Sequence, residues 1–237
     1  MARQVTNRHV RDRLSRLQEH WRDPLLTALT IMLALWLFVI SPLHNDAIIS
    51  TEILGFALSL MPTAVLLVLS NSPAAAVLML LAIGLASTAA LLRFKHPSVL
   101  DVCLNAGAWL LIGVVLIWGV GKAVFAPGRI TYHRIMGAIL LYLAIGLACV
   151  SLFTLLGLLI PDAFTGMSIT DTPSFTSTMI YFVFGTLTGA GSDNIAPLHP
   201  IARSLTVVVA MIGQLYPATL LARLVTLEIE GEDKRGQ

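Results

Sequence analysis

The sequence predicts an all-α membrane protein of six transmembrane helices, with a short re-entrant helix and a glycine-rich loop between the fifth and sixth. Three observations carry this. Hydrophobic residues make up 57% of the 237-residue chain and charged residues 12%, about half the charge of a soluble domain. Polar groups in that supply cannot cover the surface, so lipid must cover part of it. The charge-free runs have the lengths of membrane spans, and one apolar run, 173–187, does not.

Residues 1–23 are polar and basic. Val10, Leu14, Leu17 and Trp21 recur at helical spacing with arginines between them, an amphipathic helix placed on the cytoplasmic lipid surface near anionic headgroups. A short inter-subunit coil is the alternative. The next run is too long for a signal-peptide core and lacks a small-residue cleavage site, so 24–43 reads as a retained first span. Ile53 to Leu92 carries no charge and as one helix would reach about 60 Å, twice the hydrocarbon thickness. It therefore divides into two spans at Ser70-Asn71-Ser72-Pro73. Val102 to Gly121 is the fourth span, Ile135 to Ile160 the fifth, and 198–228 the sixth.

Charge fixes the orientation. The six arginines of the N-terminal arm fall on one side, with Lys122, Arg129 and Arg134 of the 122–134 linker and Arg223, Lys234 and Arg235 near the C-terminus. By the positive-inside rule that side is cytoplasmic, and both termini lie there. Arg93, Lys95 and Arg203 remain opposite, the first two a mild violation. A voltage sensor needs a basic residue at every third position of its fourth helix. Val102–Gly121 has none, so residues 24–121 read as a four-span peripheral domain without sensor arginines.

Ile160-Pro161 ends the fifth span. Asp171-Thr172-Pro173-Ser174 then starts a helix, Thr172 as cap and Pro173 at the first helical position. The apolar, aromatic stretch 173–187 reaches only about 20 Å and must stop within the membrane. Residues 188–194, Thr-Gly-Ala-Gly-Ser-Asp-Asn, then return in non-helical form. Irregular backbone at that depth is tolerated only when packed in protein or lining water. A half-helix followed by an extended strand facing water describes a pore loop. Its physics suits cations: the helix points its negative dipole end at the membrane centre, and extended glycine-rich backbone can replace an ion's hydration shell with carbonyl oxygens. Asp162, Asp171 and Asp193 lie between Pro161 and Leu198, with no base among them. Repeated around a ring, they would concentrate cations at the outer mouth. A re-entrant or surface loop without conduction is the plainer reading.

Thr186-Leu187-Thr188-Gly189-Ala190-Gly191-Ser192-Asp193-Asn194-Ile195-Ala196-Pro197 resembles the filter segment T-x-T-T-V-G-Y-G-D of potassium channels. His199-Pro200-Ile201-Ala202-Arg203, Gly213-Gln214-Leu215-Tyr216 and Ala222-Arg223-Leu224-Val225 resemble the inner helix of the small bacterial members. The resemblance covers residues 134–230. It implies a homotetramer with pore domain 135–228, pore helix 173–187, filter 188–194 and inner helix 198–228. It also implies filter residues Thr188, Gly189, Ala190, Gly191, Ser192 and Asp193, supported by Asn194 and Tyr181. Gly189 stands in place of the filter threonine, Ser192 of the bracing tyrosine, Asp193 of the second glycine and Asn194 of the acid. These departures imply a shorter or wider filter with relaxed potassium selectivity, admitting K+ or Na+ and possible access for Ca2+.

Gly213 and Pro217 form a candidate gating hinge, since proline removes a helix hydrogen bond and glycine adds freedom nearby; packing is the alternative. Thr206 and Gln214, with Met211 and Ala218, are candidates to line the inner cavity. The acidic residues Glu228, Glu230, Glu232 and Asp233 could attract outgoing cations or belong to a solvated tail, 229–237. Cys103 and Cys149 lie in apolar runs and read as small hydrophobes. The six histidines have no ligand spacing, so no metal site is predicted beyond permeant ions. Nothing resembles an activated nucleophile, a catalytic base or a cofactor pocket. The expectation is a non-enzymatic channel subunit of a bacterial-type plasma membrane, with itself and lipid as partners and no nucleic acid. A non-conducting sensor or scaffold of the same fold is one rival. A transporter is another, although no second segment resembles 173–197 as an inverted repeat would require.

Overall fold

A computed structural model of the protein describes residues 26–41, 73–95, 98–125, 132–166, 173–192 and 194–233. The N-terminal segment 1–23, the second span, Thr172, Asp193 and the end of the tail fall outside these ranges. The order is α1 (Leu26–Ile40), α2 (Pro73–Lys95), α3 (Val99–Val124), α4 (Tyr132–Leu159), β1 (Phe164–Thr165), α5 (Pro173–Thr188), β2 (Ala196–Pro197) and α6 (Pro200–Asp233). Helices α2, α3, α4 and α6 are long and apolar enough to cross a membrane, and α1 and α5 are shorter apolar helices. The protein is thus mostly helical, as an all-α membrane protein should be.

Local chemistry sets the helix starts. Proline occupies the first position of α2, α5 and α6, where its missing N–H is no loss and its fixed φ suits the helix. His199 caps α6, its Nδ1 accepting from the Ile201 N–H at 3.3 Å. A capping box opens α3: the Asp101 carboxylate accepts from the Ser98 N–H at 2.7 Å. That box starts α3 at Val99 rather than Val102. At the other end, α6 runs past residue 228 and through Gly231 to Asp233.

Without water between helices, association rests on close packing and on small residues that let backbones approach. Helix α3 packs most extensively on α4. A Cβ on Gly113 of α3 would lie 3.0 Å from the Ala148 Cβ of α4. Hydroxyls along α4 are satisfied within the helix: Ser151 donates to Leu147 O at 3.1 Å and Thr154 to Val150 O at 2.9 Å. Helix α1 reaches three neighbours. Thr30 Oγ1 lies 2.8 Å from Leu26 O in its own helix and 3.1 Å from Met136 O of α4. Trp36 stacks on Trp109 of α3, ring centroids 5.0 Å apart. Phe38 meets Phe184 of α5 edge-on, also at 5.0 Å. A π-helical turn, Trp36–Ile40, holds both aromatic residues. The first and fourth spans therefore share one apolar core with α4 and α5.

Helix α4 is the hub. Of the most apolar 18 residues within Ile135–Leu159, 61% are buried, against 11% of those within Pro200–Arg223 in α6. The ring of Phe184 sits where a Cβ on Gly146 of α4 would be. We predict that Gly146→Val loses about 1–3 kcal/mol by overpacking, read as a lower midpoint of thermal unfolding in detergent. Gly146→Val combined with Phe184→Leu should recover part of the loss.

Candidate functional site

The site is built on α5. One side of this helix is buried through Phe175, Met179, Ile180, Phe182, Val183, Phe184 and Leu187. Phe182 meets Phe153 of α4 and Phe164 of β1 edge-on, at 5.5 and 5.7 Å, and those two meet each other at 5.8 Å. This aromatic triangle fixes α5 against α4 and against the chain that leaves it. Edge-to-face pairs contribute about 0.5–1.5 kcal/mol each beyond their burial.

The C-terminal end of α5 lies flush on α6. A Cβ on Gly213 would run into the Leu187 carbonyl oxygen and come within 2.6 Å of its carbon. Gly213 is thirteen residues into α6, about 20 Å along the axis from Pro200. The chain must therefore return from Thr188 to the start of α6, about 20 Å away along the axis, over the twelve residues to Pro200. Twelve residues reach at most about 43 Å fully extended, ample for the distance. Gly189 to Ser192 are not helical.

The return path alternates in hand. Gly189 has φ 80° and Gly191 φ 77°, whereas Ala190 between them has no positive φ. The Gly189 N–H donates to Thr186 O at 3.3 Å and the Gly191 N–H to Gly185 O at 3.0 Å, so the strand climbs beside the helix it left. Its far end is tied down. Phe164 pairs with Pro197 and Thr165 with Ala196 in a two-residue antiparallel ladder, and the Leu198 N–H donates to Ala163 O at 2.9 Å. Gly166, φ 75°, lets the turn after β1 press on the Asn194 carbonyl, which leaves no room for a Cβ. At Asp162, φ 56°, an aspartate takes the left-handed conformation that few other side chains tolerate.

The residues marked in the sequence fall as follows. Thr188, expected to open the loop, is instead the last residue of α5, and it is exposed together with Gly189, Ala190 and Gly191 beyond it. The Thr188 hydroxyl donates to Phe184 O at 2.7 Å. Ser192 Oγ is buried and has no hydrogen-bond partner. Asn194 is exposed, and Tyr181 is 60% exposed, on the side of α5 away from its packed face. Gln214 is brought to the loop: a Cβ on Gly189 would lie 3.2 Å from its Nε2. Thr206 lies farther up α6 and donates to Ala202 O at 2.8 Å. Pro217 is exposed within α6. Two features were not read from the sequence. Gly185 is buried under the returning strand, and its signal was a lone glycine inside a helical pattern. Arg203 reaches back so that its Nε donates to Pro197 O at 3.1 Å, bringing a positive charge to a segment with none of its own.

The lower half of α6 is held elsewhere. Tyr216 donates to Ala138 O at 2.7 Å and stacks on Tyr142, both of α4. Arg223 donates to Phe125 O at the end of α3, with its guanidinium 5.1 Å from that ring's centroid, a cation placed at a helix C-terminus.

No protein-family model, curated protein or solved structure matches the chain.

The seat of Leu187 on Gly213 separates two roles for that glycine. A free hinge predicts that Gly213→Ala stabilises α6 by about 1 kcal/mol, because alanine is the better helix former. The close approach predicts the reverse, a loss of about 1–3 kcal/mol from overpacking. We expect the loss, measured by unfolding in a lipid-like detergent.

Proposed function

We propose that the chain is the pore-forming subunit of a homotetrameric cation channel of the potassium-channel superfamily, passing monovalent cations with relaxed selectivity for potassium. One observation carries the reading. A helix too short to span stops about halfway down a membrane-length helix, and a non-helical, glycine-containing segment leaves that point with Thr188–Gly191 exposed. In a bilayer of about 30 Å such backbone must line water or be covered by protein. The C-terminus of α5 directs the negative end of its dipole toward the start of the strand, which favours a cation there.

One strand cannot enclose an ion path, and the resemblance to potassium channels implies four around an axis. The largely exposed α6 and the open strand supply surface for neighbouring copies. In this arrangement the first four spans surround the pore, both termini are cytoplasmic, and the membrane is the plasma membrane. Conduction needs no cofactor and no catalytic group.

A second reading, a non-conducting sensor or scaffold of the same fold, is favoured by the Gly191 carbonyl, which lies against α5. Purified protein in liposomes separates the two. The channel predicts valinomycin-independent K+ and Na+ flux, unitary currents in planar bilayers, and a change of about threefold or more in relative permeability on Asp193→Asn, as for a carboxylate near the ion path. Tight vesicles with a correctly assembled tetramer would defeat it, and saturable transport without unitary currents would point to a carrier.

A further inference from the structure

Gly185 is the single glycine of α5. Glycine weakens a helix, so one within a sixteen-residue helix calls for a packing reason. The reason is Gly191. A Cβ on Gly185 would run into the Gly191 carbonyl oxygen, with the carbonyl carbon 3.2 Å and the nitrogen 3.8 Å away. The same pair is joined in the other direction by the Gly191 N–H, which donates to Gly185 O at 3.0 Å. Both polar atoms of Gly191 are thus directed at α5. Its other side is open: a Cβ there would meet nothing within 4 Å. The Ser192 hydroxyl, one residue on, is buried without a partner, so no side-chain bond from Ser192 holds the strand in place.

We infer that Gly185 is a positioning residue which, by lacking a Cβ, lets the Gly191 carbonyl turn onto α5 and so removes that carbonyl from cation coordination. This rests on the channel reading and deepens it. Carbonyl selection among cations depends on how many oxygens replace the hydration shell and how strongly they act. In a symmetric assembly each carbonyl of the strand contributes one ring of oxygens. A ring lost at Gly191 leaves the ion partly hydrated at that level, where ions of different size are told apart poorly. The relaxed selectivity then originates in the wall behind the strand as well as in the strand itself. The smallest side chain at 185 must push the Gly191 carbonyl off the helix, and the space available to it is the open side.

The test uses full-length protein in lipid bilayers, with Ala190 and Gly191 labelled at the carbonyl carbon and K+ exchanged for Na+. In the wild type the Ala190 carbonyl resonance should shift and the Gly191 resonance should not. A Gly191 carbonyl that responds in the wild type overturns the proposal without any variant. In Gly185→Ala, the Gly191 resonance should become cation-sensitive, its amide should lose hydrogen-exchange protection, and the K+/Na+ permeability ratio should rise by about threefold or more. Conduction by both proteins with an unchanged ratio overturns the role of Gly185 and leaves the channel standing. Absence of flux and of any carbonyl response in the wild type overturns the channel reading itself.

Discussion

The contact of Leu187 with Gly213 governs the rest of this structure. A helix in lipid satisfies its own backbone, but its end exposes carbonyls that need partners. Helix α5 ends beside the middle of α6 because Gly213 has no side chain to hold it off. Once that end is fixed, the chain has to turn back towards the start of α6, about 20 Å away along the axis. Its glycines at 189 and 191 accept backbone conformations hostile to other residues.

Much of this was legible in the sequence, for identifiable reasons. Span lengths follow from charge-free runs, and the start of α5 from Pro173, whose ring selects the first helical position. The short length of α5 followed from the run of apolar residues between Pro173 and the glycines after Thr188. What did not show were contacts between segments distant in the chain. Nothing near Ala196-Pro197 announces a ladder with Phe164-Thr165, since two residues are too few for a strand pattern. Arg203 counted only as one of the bases opposite the cytoplasmic side, and its reach to Pro197 O depends on the turn before α6. Gly213 read as a source of freedom because helix glycines do loosen helices. Only the position of Leu187 identifies it as a seat.

The first span also looks different in three dimensions. As sequence the first four spans carry little chemistry and read as a peripheral set. As structure, α1 touches α3, α4 and α5 through Thr30, Trp36 and Phe38. Phe184 is gripped from both sides, by the Phe38 ring and by the vacancy at Gly146. Any displacement of α1 would therefore be felt two turns or less from the returning strand, through apolar packing alone. Arg223 makes a comparable link at the other end, joining α6 to Phe125 just past the end of α3.

The ladder between β1 and β2 would have a consequence for how copies come together in the proposed tetramer. It ties the far end of the loop to the chain leaving α4, while Gly213 seats the near end on the chain's own α6. Both anchors lie within one polypeptide. In the proposed assembly, little ordering entropy of the loop would then remain to oppose association, and subunits would exchange as intact bodies.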